Sequence, residues 1–204
     1  MKVIIFGATG KTGQHTWQQA LEQGHEVTVF VRSPHKIVSD DPKLNIVQGD
    51  VFDAESIRNA VEGHDAAIIC LGSTGLGDKT TLTTGTKNVV DGLASHNGGR
   101  LIVLSAAGVA ESWAQIGWLS RILFKTMLRN IFADHHTQEA VVKESALDWT
   151  IVRAAILKDN PGTGKYTASN EAKTGNINRA DLSHFLVEQL IDTTFSKQAI
   201  SITS

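Results

Sequence analysis

Gly7, Gly10 and Gly13 recur at three-residue intervals directly behind Lys2–Phe6, a short and mostly apolar run rich in strand formers, and a helical pattern follows at once. Three glycines at a strand–helix junction suit one kind of chemistry, the holding of an anion on backbone N–H groups. Gly7 permits a sharp turn at the strand end. Gly10 lets the backbone approach a pyrophosphate where a Cβ would intrude, and Gly13 lets the helix pack closely on the sheet. The first N–H groups of the helix then face the anion, and the helix dipole favours its charge. The segment therefore predicts a dinucleotide-binding turn. Gly10-Lys11-Thr12 also matches the end of a P-loop, but that motif needs a glycine five residues before its second glycine. Here that position is Ile5, inside the strand, so the match fails.

Arg32 is the next residue with a chemical signature. Glu26–Val31 alternates and is β-branched, so it reads as strand two, and Arg32-Ser33-Pro34 follows its tip, 25 residues beyond Gly7. In dinucleotide folds this position meets the adenosine ribose. An acidic residue there bonds the 2′-hydroxyl, and a basic one suits a 2′-phosphate. No carboxylate stands at this tip. Arg32 can grip a phosphate with a charge-assisted fork, helped by Ser33 and Lys36, so NADP(H) is expected in preference to NAD(H). The single cysteine, Cys70, lies in the apolar run Ala66–Leu71 and reads as a small core residue rather than a nucleophile. It excludes an intrachain disulfide and fits a reducing, cytoplasmic setting.

The elements that must position these residues alternate along the chain. Leu44–Gln48 reads as strand three, and Asp53 caps a helix that runs to Val61 and stops at Gly63. Asp65–Leu71 is strand four, Thr80–His96 a helix ended by Gly98-Gly99, and Arg100–Ser105 strand five. A broken helical region is expected from about Ile116 to Ser145, strand six at Asp148–Arg153, a final helix within Ile177–Leu190 and a last short strand at Ala199–Thr203. These units predict one α/β domain over 1–204, a Rossmann-like, doubly wound parallel sheet with helices on both faces. Ligands of such sheets bind beyond the carboxyl ends of the strands. Gly7–Gly13, Arg32, Asp50, Leu71–Ser73, Ser105 and Arg153–Ile156 all follow strand ends and should converge there. The length of 204 residues suits that single domain, and a net charge of −2 with a pI near 6.4 gives no electrostatic case for nucleic acid or an anionic membrane. Lys2–Phe6 reads as a core strand, so no signal peptide is expected, and no apolar run reaches the roughly 18–20 residues of a membrane helix. The histidines show no metal-ligand spacing, so no metal is expected.

Gly-Ala-Thr-Gly-x-Thr-Gly, then Val-x-Val-Arg-Ser-Pro, then Gly-Asp-Val-x-Asp, resembles the atypical short-chain dehydrogenase/reductase family in its NAD(P)H-binding, NmrA-like group. The biliverdin-IXβ reductase/flavin reductase branch is the nearest pattern. Asp134-His135, Thr163-Gly164-x-Tyr166 and Ile177-x-Arg179-x-Asp181-Leu182-x-x-Phe185 extend the likeness over nearly the whole chain, with 106–133 looser. The resemblance implies that Gly7, Thr9, Gly10, Lys11 and Thr12 hold the pyrophosphate and Arg32 the 2′-phosphate. It implies that Asp50 and Val51 flank the adenine, and that Leu71, Gly72 and Ser73 lie along the ribose and diphosphate. It further implies that Ser105 lies near the nicotinamide, and that Arg153 with Ala154, Ala155 and Ile156 walls the nicotinamide through the backbone. Ala154 stands where the wider family has proline, Ile156 where the branch has histidine, and the stretch after Ser73 is one residue shorter. These departures weigh against bilin specificity.

Classical short-chain dehydrogenases use Tyr-x-x-x-Lys, the tyrosine donating a proton and the lysine lowering its pKa. The only tyrosine here is Tyr166, and position 170 is Asn170, so the motif is absent. An acceptor that takes hydride readily, a flavin, quinone or linear tetrapyrrole, fits better than an ordinary ketone, because the cofactor supplies the hydride and the protein supplies orientation. Ser105, as a hydrogen-bonding hydroxyl, and His135, as a proton donor or substrate carboxylate partner, are the candidate catalytic residues. The acceptor side is expected from about 106–133 and 154–176. Within it, Trp113, Ile116, Leu119, Ile122, Leu123, Met127, Leu128, Ile131 and Phe132 form an apolar stripe that suits a helix packed on its own core, and otherwise a flat aromatic acceptor, a lid or a partner protein. Arg121, Lys125 and Arg129 form a basic row beside it. The expected function is an NADPH-dependent oxidoreductase. The alternative is a non-catalytic NADP(H)-binding redox sensor acting through a protein partner.

Overall fold

Alternate residues of β1 (Lys2–Phe6) enter different hydrophobic layers, Val3 and Ile5 on one face and Ile4 and Phe6 on the other. A strand buried on both faces reads as an unbroken apolar run, which is why this one shows no polar alternation. The computed structural model describes residues 1–73, 75, 77–96, 98–109, 129–170 and 175–204. The further strands are β2 (Glu26–Val31), β3 (Leu44–Gln48), β4 (Ala66–Ile69), β5 (Arg100–Ala106), β6 (Asp148–Ala154), β7 (Ile156–Lys158), β8 (Thr167–Ser169), β9 (Asn176–Asn178) and β10 (Gln198–Thr203). Eight of them form one sheet in the order β3-β2-β1-β4-β5-β6-β10-β8, and β7 pairs with β9 in a separate ribbon. Neighbours in the large sheet are parallel except β8, which runs antiparallel to β10. The fold is the expected doubly wound α/β fold, corrected at one edge, where the sheet is not parallel.

Five helices cover the sheet among the described residues: α1 (Lys11–Glu22), α2 (Ala54–Val61), α3 (Thr81–Ser95), α4 (Arg129–Glu144) and α5 (Arg179–Glu188). Trp17 and Ala20 of α1 pack with Leu182, Phe185 and Leu186 of α5 on the Val3 face. Ile57 of α2, Val89 and Leu93 of α3 and Val142 of α4 pack on the Phe6 face. The α2 start is closed by Asp53, whose carboxylate accepts from the N–H groups of Glu55 and Ser56, both at 3.1 Å. The α3 start is closed from a distance by buried Asp134 of α4, which accepts from Leu82 N and Thr83 N at 2.9 Å. Gly24, just beyond α1, has φ +88°, the left-handed conformation expected of a helix stop.

Strand four is shorter than expected, and three short strands were not expected. Strand four is Ala66–Ile69, because its paired registers with β1 and β5 both end at Ile69. The last helix, Arg179–Glu188, lies within the expected range, and Ile177 before it belongs to β9. Strands β7, β8 and β9 have three residues each and come from pairings distant in sequence, so periodicity alone carried no signal for them. Of the apolar stripe, Trp113 to Leu128 lies outside the described residues, as do Arg121 and Lys125, while Ile131 and Phe132 begin α4 and are half-buried.

Two predictions follow from packing and burial. A Cβ on Gly13 would lie 2.2 Å from Gly7 O, so Gly13→Ala must push α1 off β1. It should lower stability by about 1–3 kcal/mol in urea denaturation. Gly72→Ala, with open space around it, should change stability by less than about 0.5 kcal/mol. Burial holds His25 and His64 below the ordinary histidine value, His25 with the nearby N-terminal charge adding to the effect. The unfolded chain then binds more protons, so stability is full above about pH 6.5 and falls as pH drops below it. The double variant His25→Gln/His64→Gln should show a shallower loss in urea midpoint between pH 7 and pH 5. An unchanged slope would remove the two rings as its source.

Candidate functional site

A cleft of about 690 Å³ opens at the carboxyl ends of the strands. The chain runs outward from β1 through β2 to β3, then crosses to β4 and proceeds through β5 to β6, so β1 and β4 flank the switch point where such folds bind ligands. Gly7 sits there with φ +80°, and a Cβ on it would meet Cys70 O at 2.3 Å. The turn is closed by Gly10 N bonding Gly7 O at 3.0 Å. Gly10 caps α1 without a side chain, and the first turn of α1 carries no acidic residue. This contrasts with α2 and α3, whose starts are filled by carboxylates. The α1 start lines the cleft with its N–H groups unclaimed by any side-chain cap, the arrangement that a diphosphate fits.

Two cations flank this turn. Lys11 Nζ bonds the Asp159 carboxylate at 2.6 Å, and Arg179, at the start of α5, bonds the same carboxylate. Both cations line the cleft. The α5 helix is held beside α1 by Ser183, whose hydroxyl donates to Thr12 O at 3.1 Å, and by Gln19, which donates to Ala180 O at 3.1 Å. Asp181 accepts from Thr163 N at 2.7 Å and Gly164 N at 2.8 Å, tying the segment after Asp159 to the same helix. The Asp159 carboxyl lies below its usual range because the Lys11 hydrogen bond and the Arg179 charge favour ionisation.

At the β2 end, Arg32 is exposed and lines the cleft with Phe30, Val31, Gly49, Val51 and Phe52. Asn88 Nδ2 donates to Val51 O at 2.9 Å and fixes that wall. Phe6 and Phe30 pack at 5.3 Å, and a Cβ on Gly49 would collide with the Phe30 ring at 2.2 Å. At the other end lie Leu104, Ser105, Ala106, His135, Ala154, Ala155 and Leu157.

Ser105 rests on a buried ion pair. Its Oγ donates to Glu139 Oε1 at 2.8 Å. Arg153 grips Glu139 with both arms of its fork, Nε to Oε1 at 2.9 Å and Nη2 to Oε2 at 2.6 Å. Glu139 is 1% and Arg153 4% exposed. Burial opposes ionisation of Glu139, but the bonds and charge of Arg153, with the Ser105 hydroxyl and the Lys143 charge, outweigh it and hold the carboxyl below its ordinary value. His135 places Nδ1 3.0 Å from Gln138 Oε1, and Gln138 in turn donates to Thr86 Oγ1. Burial lowers the His135 pKa despite that bond and the charges of Glu139 and Asp134, so the ring is neutral near pH 7. Burial pushes the Cys70 thiol up to about 12, with Thr16 opposing, so the thiolate is not formed. Tyr166 is outside the cleft lining, its hydroxyl donating to Glu188 at 2.9 Å.

The structure thus gathers Gly7, Thr9, Gly10, Lys11, Thr12, Arg32, Val51, Leu71, Gly72, Ser73, Ser105, His135, Ala154 and Ala155 around one cleft. Gly13, Asp50 and Ile156 are not in its walls. Gly13 serves the helix–strand contact, and the Asp50 carboxylate accepts from Phe52 N at 3.1 Å to close its turn. Ile156 pairs its N–H with Gly175 O and points its side chain to solvent. Sequence reasoning passed over Phe30, Arg179 and Glu139. Arg179 stood within the C-terminal motif, which pointed to it, whereas nothing in the sequence pairs Glu139 with Arg153. Among the described residues no cluster of His, Cys, Asp or Glu side chains is arranged to hold a metal ion. No described helix is long and apolar enough to cross a membrane.

A family profile described as NAD(P)H-binding matches residues 7–193. An uncharacterized chloroplastic protein of Arabidopsis thaliana is 29% identical over 218 residues, spanning 100% of this chain and 76% of its own length. The anaerobillin reductase ChuY of Escherichia coli superposes with a TM-score of 0.83 at 22% identity, over 99% of this chain and 96% of its own. A short-chain dehydrogenase/reductase of Veillonella parvula, solved in complex with NADP, superposes with a TM-score of 0.84 at 19% identity, over 100% and 94%. At such identities the two structures speak for the fold alone, a Rossmann-like α/β fold. With the glycine turn, the open helix start and the profile in agreement, the chain belongs to the NAD(P)H-binding family.

Proposed function

We propose that the protein is an NADPH-dependent reductase of a flat, conjugated acceptor such as a flavin, a quinone or a linear tetrapyrrole. The observation that carries this reading is the absence of a positioned acid among the described residues of the cleft. Cys70 holds its proton too tightly, Ser105 directs its own to Glu139, His135 is neutral with Nδ1 turned to Gln138, and Tyr166 lies elsewhere. The bound cofactor supplies a hydride, two electrons with one proton. An acceptor that delocalises the added charge takes its remaining proton from water and needs no protein acid. The chain's own part is to orient and to exclude water. The α1 start, Lys11 and Arg179 suit the diphosphate, Arg32 the 2′-phosphate, and Ser105 with Ala154 and Ala155 the nicotinamide end. His135 and the segments 106–133 and 154–176 are assigned to the acceptor side. The NADP complex of the Veillonella parvula protein and the bilin chemistry in the name of ChuY support this reading. A cytoplasmic setting accords with the free, buried thiol of Cys70.

Purified protein should oxidise NADPH when FMN, a quinone or a bilin is added. Tight NADPH binding with no turnover across that panel would favour the sensor reading instead. Arg32→Asp should weaken NADPH binding by about 1.5–3 kcal/mol, roughly ten- to a hundred-fold, and leave NADH binding nearly unchanged. Equal losses for both would refute the 2′-phosphate assignment. Asp159 occupies the same two cations that suit the diphosphate, so Asp159→Asn should tighten NADPH binding, and the gain should shrink at high salt. Weaker binding by that variant would mean the carboxylate supports the cofactor rather than competing with it.

A further inference from the structure

The Ser105 hydroxyl has one proton, and its hydrogen bond is to Glu139 Oε1 at 2.8 Å. Glu139 cannot return the proton. Its two oxygens accept from both arms of the Arg153 fork and lie near Lys143 Nζ, 3.3 Å from Oε2, so the carboxylate is an acceptor on every side. The direction of the Ser105–Glu139 bond is therefore set by charge and not by a free rotor. What Ser105 has left for the cleft is the lone-pair side of its oxygen. We propose that Glu139, braced by Arg153, is a positioning residue that makes Ser105 an obligate hydrogen-bond acceptor toward the cleft, where it receives the carboxamide N–H of the nicotinamide.

This inference rests on the assignment of a nicotinamide cofactor to the cleft, and it deepens that assignment. It commits Ser105 to one partner and one polarity. A serine that donated would instead serve the carboxamide oxygen or a reduced acceptor. The geometry also explains why a charged pair is kept where nearly all water is excluded. Burying two ions is costly, and a hydrophobic pair of like volume would pack as well. A fixed anion, which can only accept, holds the neighbouring hydroxyl to one polarity.

The test uses an oxidised cofactor analogue in which an acetyl group replaces the carboxamide. The 3-acetylpyridine analogue of NADP+ keeps the carbonyl oxygen and loses the N–H donors. Dissociation constants for it and for NADP+ are measured by calorimetry on wild-type protein and variants. Wild type should bind NADP+ about ten-fold more tightly than the analogue, the worth of one directed hydrogen bond. Ser105→Ala should bind the two within about two-fold of each other. Glu139→Ala should lose the preference as well, whereas Glu139→Gln, which keeps an acceptor oxygen for Ser105, should retain part of it. A merely structural defect would weaken both ligands alike and leave their ratio unchanged. Equal binding by wild type, or a full preference retained in Ser105→Ala, overturns the proposal. Should the Glu139 variants fail to fold, as judged by circular dichroism, Ser105→Ala decides alone. Failure of wild type to bind either ligand overturns the cofactor assignment itself, a result distinct from binding both equally.

Discussion

At the junction of β1 and α1 the helix backbone rests against the Gly7 carbonyl so closely that no Cβ fits on Gly13. That contact sets where α1 begins and which way its first turn points. Because Gly10 caps the helix without a side chain, the N–H groups of that turn open onto the crevice at the switch point of the sheet. The rest of this end of the cleft depends on the same placement. The α5 helix is pinned to α1 through Thr12, Ser183, Gln19 and Ala180, which brings Arg179 beside Lys11. Asp181 then ties down the segment that follows Asp159. A shift of α1 would move both cations and the N–H groups together.

The opposite end is organised by charge rather than by close backbone approach. Glu139 of α4 reaches across to Arg153 of β6 and Ser105 of β5, joining one helix and two adjacent strands beneath the cleft floor. Breaking such a pair by removing one partner leaves an uncompensated buried ion, a loss of about 3–5 kcal/mol in comparable cases. The network therefore constrains the floor strongly, while the cleft above it is lined by Leu104, Ala106, Ala154, Ala155 and Leu157. A rigid polar floor under a mostly apolar wall suits a flat ligand that is oriented more than it is protonated.

Much of the frame was legible in the chain because its signals are local. The first three strands match their apolar runs residue for residue, and Asp53 caps α2 as its position predicts. Gly7, Gly10 and Arg32, singled out by spacing alone, line one cleft. The short strands β7, β8 and β9 were not legible, since three residues carry no period and their partners lie far away in sequence. Asp50 was expected at the cleft because it follows a strand end; it is not among the lining residues, and one of its carboxylate oxygens accepts from Phe52 N in its own turn. Ile156 is outside the cleft lining, since strand pairing with β9 turns its side chain to solvent.

Sequence by itself determined the class of ligand. The glycine spacing, the basic tip of strand two and the missing Tyr-x-x-x-Lys pair are properties of neighbours in the chain, and their chemistry does not wait for folding. Tertiary structure decided what the polar residues can do. Whether Ser105 donates or accepts depends on Glu139, 34 positions away, and whether Glu139 is charged depends on Arg153, a further 14 positions on. Burial, not sequence, leaves His135 neutral and Cys70 protonated. Protonation and hydrogen-bond direction are set by the local field and by access to water, and both exist only after distant segments have packed together.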